Sequence, residues 1–494
     1  MKKRLIGLLT AAIVATTAFV GCSGKTNDSN KGNGGESGGG NKSYDWVRST
    51  DNTDDIYVSC VACGLGESWL TKVAQSYEDE TGVHVEVYFD PQMGQNLTQA
   101  MNINKNLDDL TISGEIYDWI KWTAQEKVEC LEDIMDLEYP GETDKDGNPM
   151  TLRKKIKASV APLGIYDNKT YVINYTYAPT GIVYNADLFK KLGYDEFPET
   201  WAELLEACKK IIDQKPTNKN GKVIKPFSWG GAVFDLNDTY KTLWAQSSIE
   251  KFKAFFAYED KNGPSEELFM DQGRLTALEA LYDLLNPVDG KSVNALDGLG
   301  AGTNVDSEIA FLNGLSAFCP TGGWFESEVA SALSNADFTY KFAAVPAIEG
   351  GTRVANINLP TEYFMIPKYS NNPEGAKDFL RYMLSEENLI MMHSENQTPS
   401  AFEYDMSKCN LNDWGKQVVE MLDTYPNVFS AAPTATYRIG ALAPKFYAKD
   451  PYTLMSTGTI ARKDLKEEVL RYEYNNRVTK WSDWMDQIDE LQIG

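Results

Sequence analysis

The chain has 494 residues, too many for one hydrophobic core, so two or more folding units are expected. It is 42% hydrophobic and 24% charged, the balance of a globular protein, with a formal net charge of −24 and a pI of about 4.6. So acidic a chain is a poor partner for nucleic acid or for an anionic membrane surface.

The N-terminus carries an address. Met1 to Arg4 is basic, Leu5 to Val20 is apolar, and the run closes on Phe19-Val-Gly-Cys22. This is the pattern of an export signal rather than a spanning helix. Its last four residues match a lipoprotein cleavage site, with Phe19 where Leu is usual, so residues 1–21 are expected to be removed and Cys22 to be lipidated. An ordinary secretory signal with an incidental cysteine is the alternative. Residues 22–43 are rich in Gly, Ser and Asn, without a large apolar side chain, and read as a flexible tether. No other run is long and apolar enough to cross a bilayer, so a translocation pore would be another polypeptide.

Asp55 to Ala62 alternates as a strand, and Cys63 to Ser68 reads as a tight loop. Leu70, Val73, Ala74 and Tyr77 then fall on one helical face; Gly82 ends the helix, and Val83, Val85, Val87 and Phe89 alternate as a second strand. Gly64 and Gly66 do not make a nucleotide fingerprint, because the third glycine position is Trp69. Ligands of open α/β sheets sit beyond the carboxyl ends of strands, which brings Leu65, Glu67 and Trp69 toward a cleft, although a plain turn would use the same residues. Cys60 and Cys63 form a C-x-x-C without a second pair, and His84 and His393 have no spacing partner, so structural cysteines are expected and no metal set or catalytic constellation stands out. Leu107 to Ser113 is a short strand followed by a helical stretch with Asp118, Trp119 and Trp122. Asn168 to Pro179 is extended, placing Tyr175 and Tyr177 on one face.

Gly181 to Tyr184 is an apolar strand. Thr200 with Glu203 three residues on makes a capping box, and Trp201, Leu204, Leu205, Cys208, Ile211 and Ile212 follow at helical spacing. Trp229 lies in a glycine-containing loop, and Tyr240 and Trp244 are one helical turn apart, a spacing that serves ligand or core equally. Within Ile309 to Glu326 a strand ends in Gly322-Gly323, which lets a ligand approach the backbone and presents Trp324 at the strand's end. Asn372-Pro373 opens a helix with Ala376, Phe379, Leu380 and Met383 inward.

The stretch "TGIVYNADLFKKLG…PETWAELLEACKKI" (180–212), "IAFLNGLSAFCPTGGWFE" (309–326) and "NNPEGAKDFLRYMLSEE" (371–387) resemble the extracellular solute-binding proteins of ABC importers, family 1, the maltose-binding-protein-like group. The resemblance extends over most of Asp55 to Ile488 and is thin over 213–300 and 400–494. It implies an α/β fold of two lobes, the type II periplasmic-binding-protein arrangement, with the ligand cleft between them. Residues 44–177 with 359–430 are the expected first lobe, and 178–358 with 431–494 the second. By the same resemblance, ligand contacts are expected from Glu67, Asp118, Trp119, Tyr175, Tyr177, Trp229, Tyr240, Trp244, Gly323, Trp324, Asn358, Glu362, Tyr437 and Arg438. No cofactor is expected. The implied function is capture of a carbohydrate, expected to be an oligosaccharide, for ABC permease subunits by a monomer anchored through Cys22 on the extracellular face of a Gram-positive cell. The 11 Trp, 26 Tyr and 20 Phe suit sugar rings. A polyamine or other small solute suits an acidic aromatic cleft as well. A carbohydrate-active enzyme would need a paired acid and nucleophile, and no carboxylate pair stands in a motif.

Overall fold

The computed structural model describes residues 46–62, 67–104, 108–114, 119–230, 234–256, 263–288, 291–296, 302–357, 362–429 and 451–490. Among these, two sheets organise the chain. Their strands are β1 (Ile56–Val61), β2 (Val85–Asp90), β3 (Leu110–Gly114), β4 (Val172–Asn174), β5 (Pro179–Asn185), β6 (Lys225–Phe227), β7 (Ser316–Gly322), β8 (Tyr340–Ala343), β9 (Ala355–Ile357), β10 (Glu362–Met365) and β11 (Asn427–Phe429). The first sheet has the order β2-β1-β3-β10-β4, with β1 parallel to both neighbours and β10 antiparallel to β3 and β4. The second has the order β6-β7-β5-β9-β11, with β8 also paired to β5.

Both faces of the second sheet's central strands β5 and β7 are covered, and every residue of these two strands is buried. Ile182, Tyr184 and Phe318 join one buried cluster, while Val183, Cys319 and Ala355 join another, the two-residue period of a strand. The first cluster holds the helices α4 (Trp201–Gln214), α5 (Phe234–Ser247) and α6 (Gln272–Leu285); the second holds α7 (Asn304–Leu312) and α10 (Asp413–Thr424). On the first sheet, α2 (Met93–Asn102) and α3 (Trp119–Ala124) cover one face around Trp119, Trp122 and Met365. The helices α1 (Ser68–Thr81), α8 (Pro373–Met383) and α9 (Glu386–Asn396) pack on one another.

Local sequence signals explain several helix ends. Thr200 and Glu203 make the reciprocal capping box at the start of α4. Asn372 caps α8 with Pro373 in its first turn. Gly82 closes α1 at φ 73°, the left-handed conformation that a β-carbon disfavours.

The chain passes between the sheets at Asn174–Pro179, again at Ile357–Glu362, and a third time within 397–412. The third passage comes earlier than the switch at 430/431 expected from sequence. Ser400 still bridges to Thr176, but Trp414, Val418 and Met421 are buried with Val183 and Phe311, and β11 pairs with β9. A three-residue strand carries too few residues to show a period, which is why it left no sequence signal. The final helix, α11 (Tyr472–Glu490), departs from expectation too: Trp481 is buried with first-sheet residues.

His393, on α9 beside the third passage, is fully buried, hydrogen-bonded to the Tyr404 hydroxyl at 2.9 Å and 3.4 Å from the Cys409 sulfur. Burial pulls its imidazole down from 6.5 to about 4. Between these values the unfolded chain binds a proton that the folded one does not, so this contribution is complete above pH 6.5 and is lost as pH falls to 4. Chemical denaturation at pH 7 and pH 4 should show wild type losing on the order of 3 kcal/mol more than His393→Gln. Parallel losses in the two proteins would mean that His393 carries no such linkage.

Candidate functional site

The carboxyl ends of β1, β3 and β4 and the start of the antiparallel β10 gather at one edge of the first sheet, where Glu362 stands opposite Gly114 and Tyr363 opposite Asn174. Glu67 precedes α1, exposed, with its side chain making no cap. Burial pushes the Cys60 thiol far above its ordinary range, and the charges of Glu67 and Glu362 add to that push. Two carboxylates far apart in sequence therefore converge on the end of β1. At the same edge Asn174 donates its amide to the Glu362 carbonyl at 3.1 Å, and Tyr175 donates its backbone N–H to the same oxygen at 3.3 Å.

The facing edge of the second sheet is the end of β7. The Gly323 N–H donates to the Pro179 carbonyl at 2.9 Å, and the Gly323 carbonyl accepts from the Thr398 hydroxyl at 2.7 Å and the Trp414 indole at 2.9 Å. A β-carbon on Gly323 would stand 3.1 Å from a methyl of Val418. At Gly322 a β-carbon would stand 2.2 to 2.6 Å from three carbons of the Trp324 six-membered ring, so the indole lies directly on the glycine backbone. Trp324 itself is half-buried. Its side chain hydrogen-bonds to Glu328, which also bonds to Glu308, and Glu308 accepts from the Thr321 hydroxyl. Burial holds the Glu328 carboxyl above its usual range, and these hydrogen bonds pull it part-way back. The result is an aromatic plate on glycine, backed by the carboxyl groups of Glu328 and Glu308.

The structure thus brings Glu67 with Glu362, and Gly323 with Trp324, to strand ends on the two sheets. Tyr177 is half-buried between them, with Lys157 Nζ 5.3 Å from its ring centre and Phe429 at 6.0 Å. Five other candidates need correction, because they are core residues. Trp119 is 1% exposed in the α2–α3 cluster. Tyr175 stacks on Phe364 at 4.8 Å rather than sharing a face with Tyr177 toward a ligand. Trp229 is stacked on Phe227 at 4.5 Å. Tyr240 hydrogen-bonds to Arg274 at 3.0 Å, and the Trp244 indole donates to Asp271 at 3.0 Å. Their helical spacing serves packing. Asp118, Asn358, Tyr437 and Arg438 lie outside the described residues, as do Leu65, Cys63 and Cys22.

Sequence reasoning missed Glu308, Glu328, Thr321 and Asn174. Glu308 did leave a signal: it falls on the same helical face as the buried Phe311 and Leu312, and a charge inside an apolar stripe needs a partner. Capping by Thr303 and Asp306 fixes the start of α7 and so the height at which Glu308 meets β7. A cavity of about 230 Å³ lined by Met135, Arg153, Ile156, Thr170, Val172 and Asn174 draws its walls from the first-sheet segment, with a mostly apolar lining. It is not the site. Among the described residues no helix is long and apolar enough to cross a membrane, and no cluster of metal-ligating side chains occurs.

Comparison with known proteins bears on the family and the fold. The diacetylchitobiose binding protein NgcE of Streptomyces coelicolor is 26% identical over 265 residues, covering 51% of this chain and 47% of that protein. The chain therefore spans about half the length of the curated relative it matches. Two solved structures share the fold: RafE in complex with raffinose, at a TM-score of 0.60 and 17% identity, covers 86% of this chain and 99% of that one. A solute-binding protein of Thermotoga lettingae bound with α-D-tagatose, at a TM-score of 0.63 and 17% identity, covers 87% and 100%. The fold is the two-lobed type II arrangement, in which the two sheets are the lobes. The model of the bacterial extracellular solute-binding proteins matches residues 64–390, and the chain belongs to that family.

Proposed function

We propose that this chain is the substrate-binding component of an ABC importer, capturing a carbohydrate, an oligosaccharide in particular, between its lobes and delivering it to permease subunits. The observation that carries this reading is Trp324, laid on Gly322 at the end of β7 and tied to Glu328. An indole face packs sugar C–H groups, while neighbouring carboxylates accept from hydroxyls. That the similar proteins named above bind diacetylchitobiose, raffinose and tagatose supports the same class. Glu67, Glu362, Tyr177, Gly323 and Trp324 are the proposed contacts, and Asp118, Asn358, Tyr437 and Arg438 remain so by family resemblance. The first lobe comprises residues 46–174 and 362–396, and the second 179–357 and 413–471. The protein works as a monomer by binding and release, not turnover. Lipid on Cys22 holds it at the extracellular face of a Gram-positive cell, with residues 22–43 as its leash.

A second reading draws on the carboxylates at the first-sheet edge. Glu67 and Glu362 there, with the Trp324 indole on the second sheet, would also suit a cationic solute such as a polyamine, through ion pairing and cation–π contact.

Thermal melting and tryptophan fluorescence of the protein against a panel of oligosaccharides, with spermidine included, separate the two. A ligand at about 100 times its Kd should stabilise the fold by ~2.7 kcal/mol. A saccharide is expected to do so; a response to spermidine alone would overturn the sugar reading and leave the fold in place. Trp324→Ala should weaken the saccharide by about 30-fold, the ~2 kcal/mol of a central aromatic contact. Gly322→Ala provides an independent check, because its methyl must displace the indole. Saccharide affinity should fall as in Trp324→Ala, and unchanged affinity would show that the indole's seat on glycine is not what presents it.

A further inference from the structure

The turn that carries Trp324 is gripped on both sides by the third passage. Before it, the Gly323 carbonyl accepts from the Thr398 hydroxyl at 2.7 Å and the Trp414 indole at 2.9 Å, which occupies both of its lone pairs. After it, the Glu326 carboxylate accepts from the Tyr340 hydroxyl at 2.6 Å and from the Asn412 amide at 2.7 Å. Trp324 stands between them as the N-cap of the short helix Phe325–Glu328, and its side chain makes no cap. Thr398 is 4% exposed, and its other acceptor, the Asn396 carbonyl, is farther away at 3.2 Å.

The two grips are tied to each other. Gln397 ends α9 at φ 58°, a left-handed conformation uncommon for a residue with a β-carbon. Its side chain reaches across the passage: Oε1 accepts from the Asn412 N–H at 2.8 Å, and Nε2 donates to the Asn410 carbonyl at 3.2 Å. Thr398 and Asn412, far apart in sequence, are thus held as one unit. The same passage is bonded to the first, because Ser400 bridges to Thr176 and the Ala401 N–H donates to the Tyr175 carbonyl at 3.0 Å. We propose that Thr398 and Asn412 are positioning residues, through which the third passage, rather than the second sheet alone, sets the orientation of the Trp324 ring and so the affinity for the solute. Neither residue has to touch the solute for this. A rotation of the lobes that shifts the passage reaches the ring within a few residues. The inference rests on the reading of Trp324 as the plate on which the solute packs, so its test includes a measurement that needs no solute.

Fluorine NMR of the protein labelled with 5-fluorotryptophan tests it, the Trp324 line being identified by its loss in Trp324→Phe. Thr398→Val keeps the shape of the side chain and removes the donor, whereas Thr398→Ser keeps the donor. Asn412→Ser keeps an oxygen to cap α10, as Asn412 does for the Gly415 N–H, but is too short to reach Glu326. In the solute-free protein the Trp324 line should move in Thr398→Val and Asn412→Ser and stay in place in Thr398→Ser. Leu204→Val, in the second-lobe core, should lower the melting temperature and leave the line unmoved. For a saccharide that binds wild type, affinity should fall by about tenfold in Thr398→Val and about threefold in Asn412→Ser, whose bond is exposed, with Thr398→Ser near wild type. A Trp324 line unmoved in both variants, or one that moves without loss of affinity, would overturn the proposal. If no saccharide binds wild type, the carbohydrate reading fails by itself, and the solute-free spectra still decide whether the passage sets the ring. If Thr398→Val does not fold, Asn412→Ser decides the question in the same way.

Discussion

The residues between β4 and β5 must satisfy their backbone in two sheets at once. The Tyr175 N–H goes to the Glu362 carbonyl and its own carbonyl accepts from Ala401, while four residues later the Pro179 carbonyl accepts from Gly323. Each of the three passages is thereby hydrogen-bonded to another, so none can shift alone. A buried peptide group left unpaired here would cost about 1–3 kcal/mol, which makes the crossing a shared seam rather than three separate linkers. The position of the site follows from this seam. Glu362 begins β10 one peptide from it, and Gly323 bonds directly to its far end.

On the second lobe the same logic turns from backbone to side chains. The Gly323 carbonyl is committed to Thr398 and Trp414, so the chain must turn away from the sheet at once, and the next side chain is Trp324. Its indole folds back because Gly322 offers no β-carbon to resist it. Behind it, burial holds the Glu328 carboxyl above its usual range, and its hydrogen bonds with Glu308 and Trp324 draw it part-way back. The plate is therefore held by packing from below and by a hydrogen bond at its edge, an arrangement that exists before any ligand arrives.

How much of this the sequence carried depended on whether a pattern had one physical meaning. The capping box at Thr200, the Asn372-Pro373 start and the apolar strand ending in two glycines each specify a backbone conformation, and each stands in the structure where it was read. Tyr240 and Trp244 did not behave in this way. A helical repeat says which residues share a face but not whether that face meets core or solvent, and here Arg274 and Asp271 claim both polar atoms for the interior. Trp119 and Trp229 fell to the same ambiguity. That Glu67 and Glu362 both lie near Cys60 was outside the reach of any local pattern, because the place of Glu362 depends on β10 lying antiparallel beside β3. The third passage was misplaced for a related reason: what marks it is a single bridge and a three-residue strand.

The first lobe also holds the earliest described part of the chain. Asp378, fully buried on α8, accepts from the Trp46 indole at 3.2 Å, from the Ser49 N–H and hydroxyl at 2.6 and 2.8 Å, and from Tyr77 at 2.7 Å, with Arg48 at 3.5 Å. One carboxylate thus gathers the segment that follows residue 45, and charge-assisted bonds of this kind are the strong ones. Trp46 is further wedged against Tyr382 under Arg381. The far end of α11 rests on that same lobe, through Trp481 and Met485.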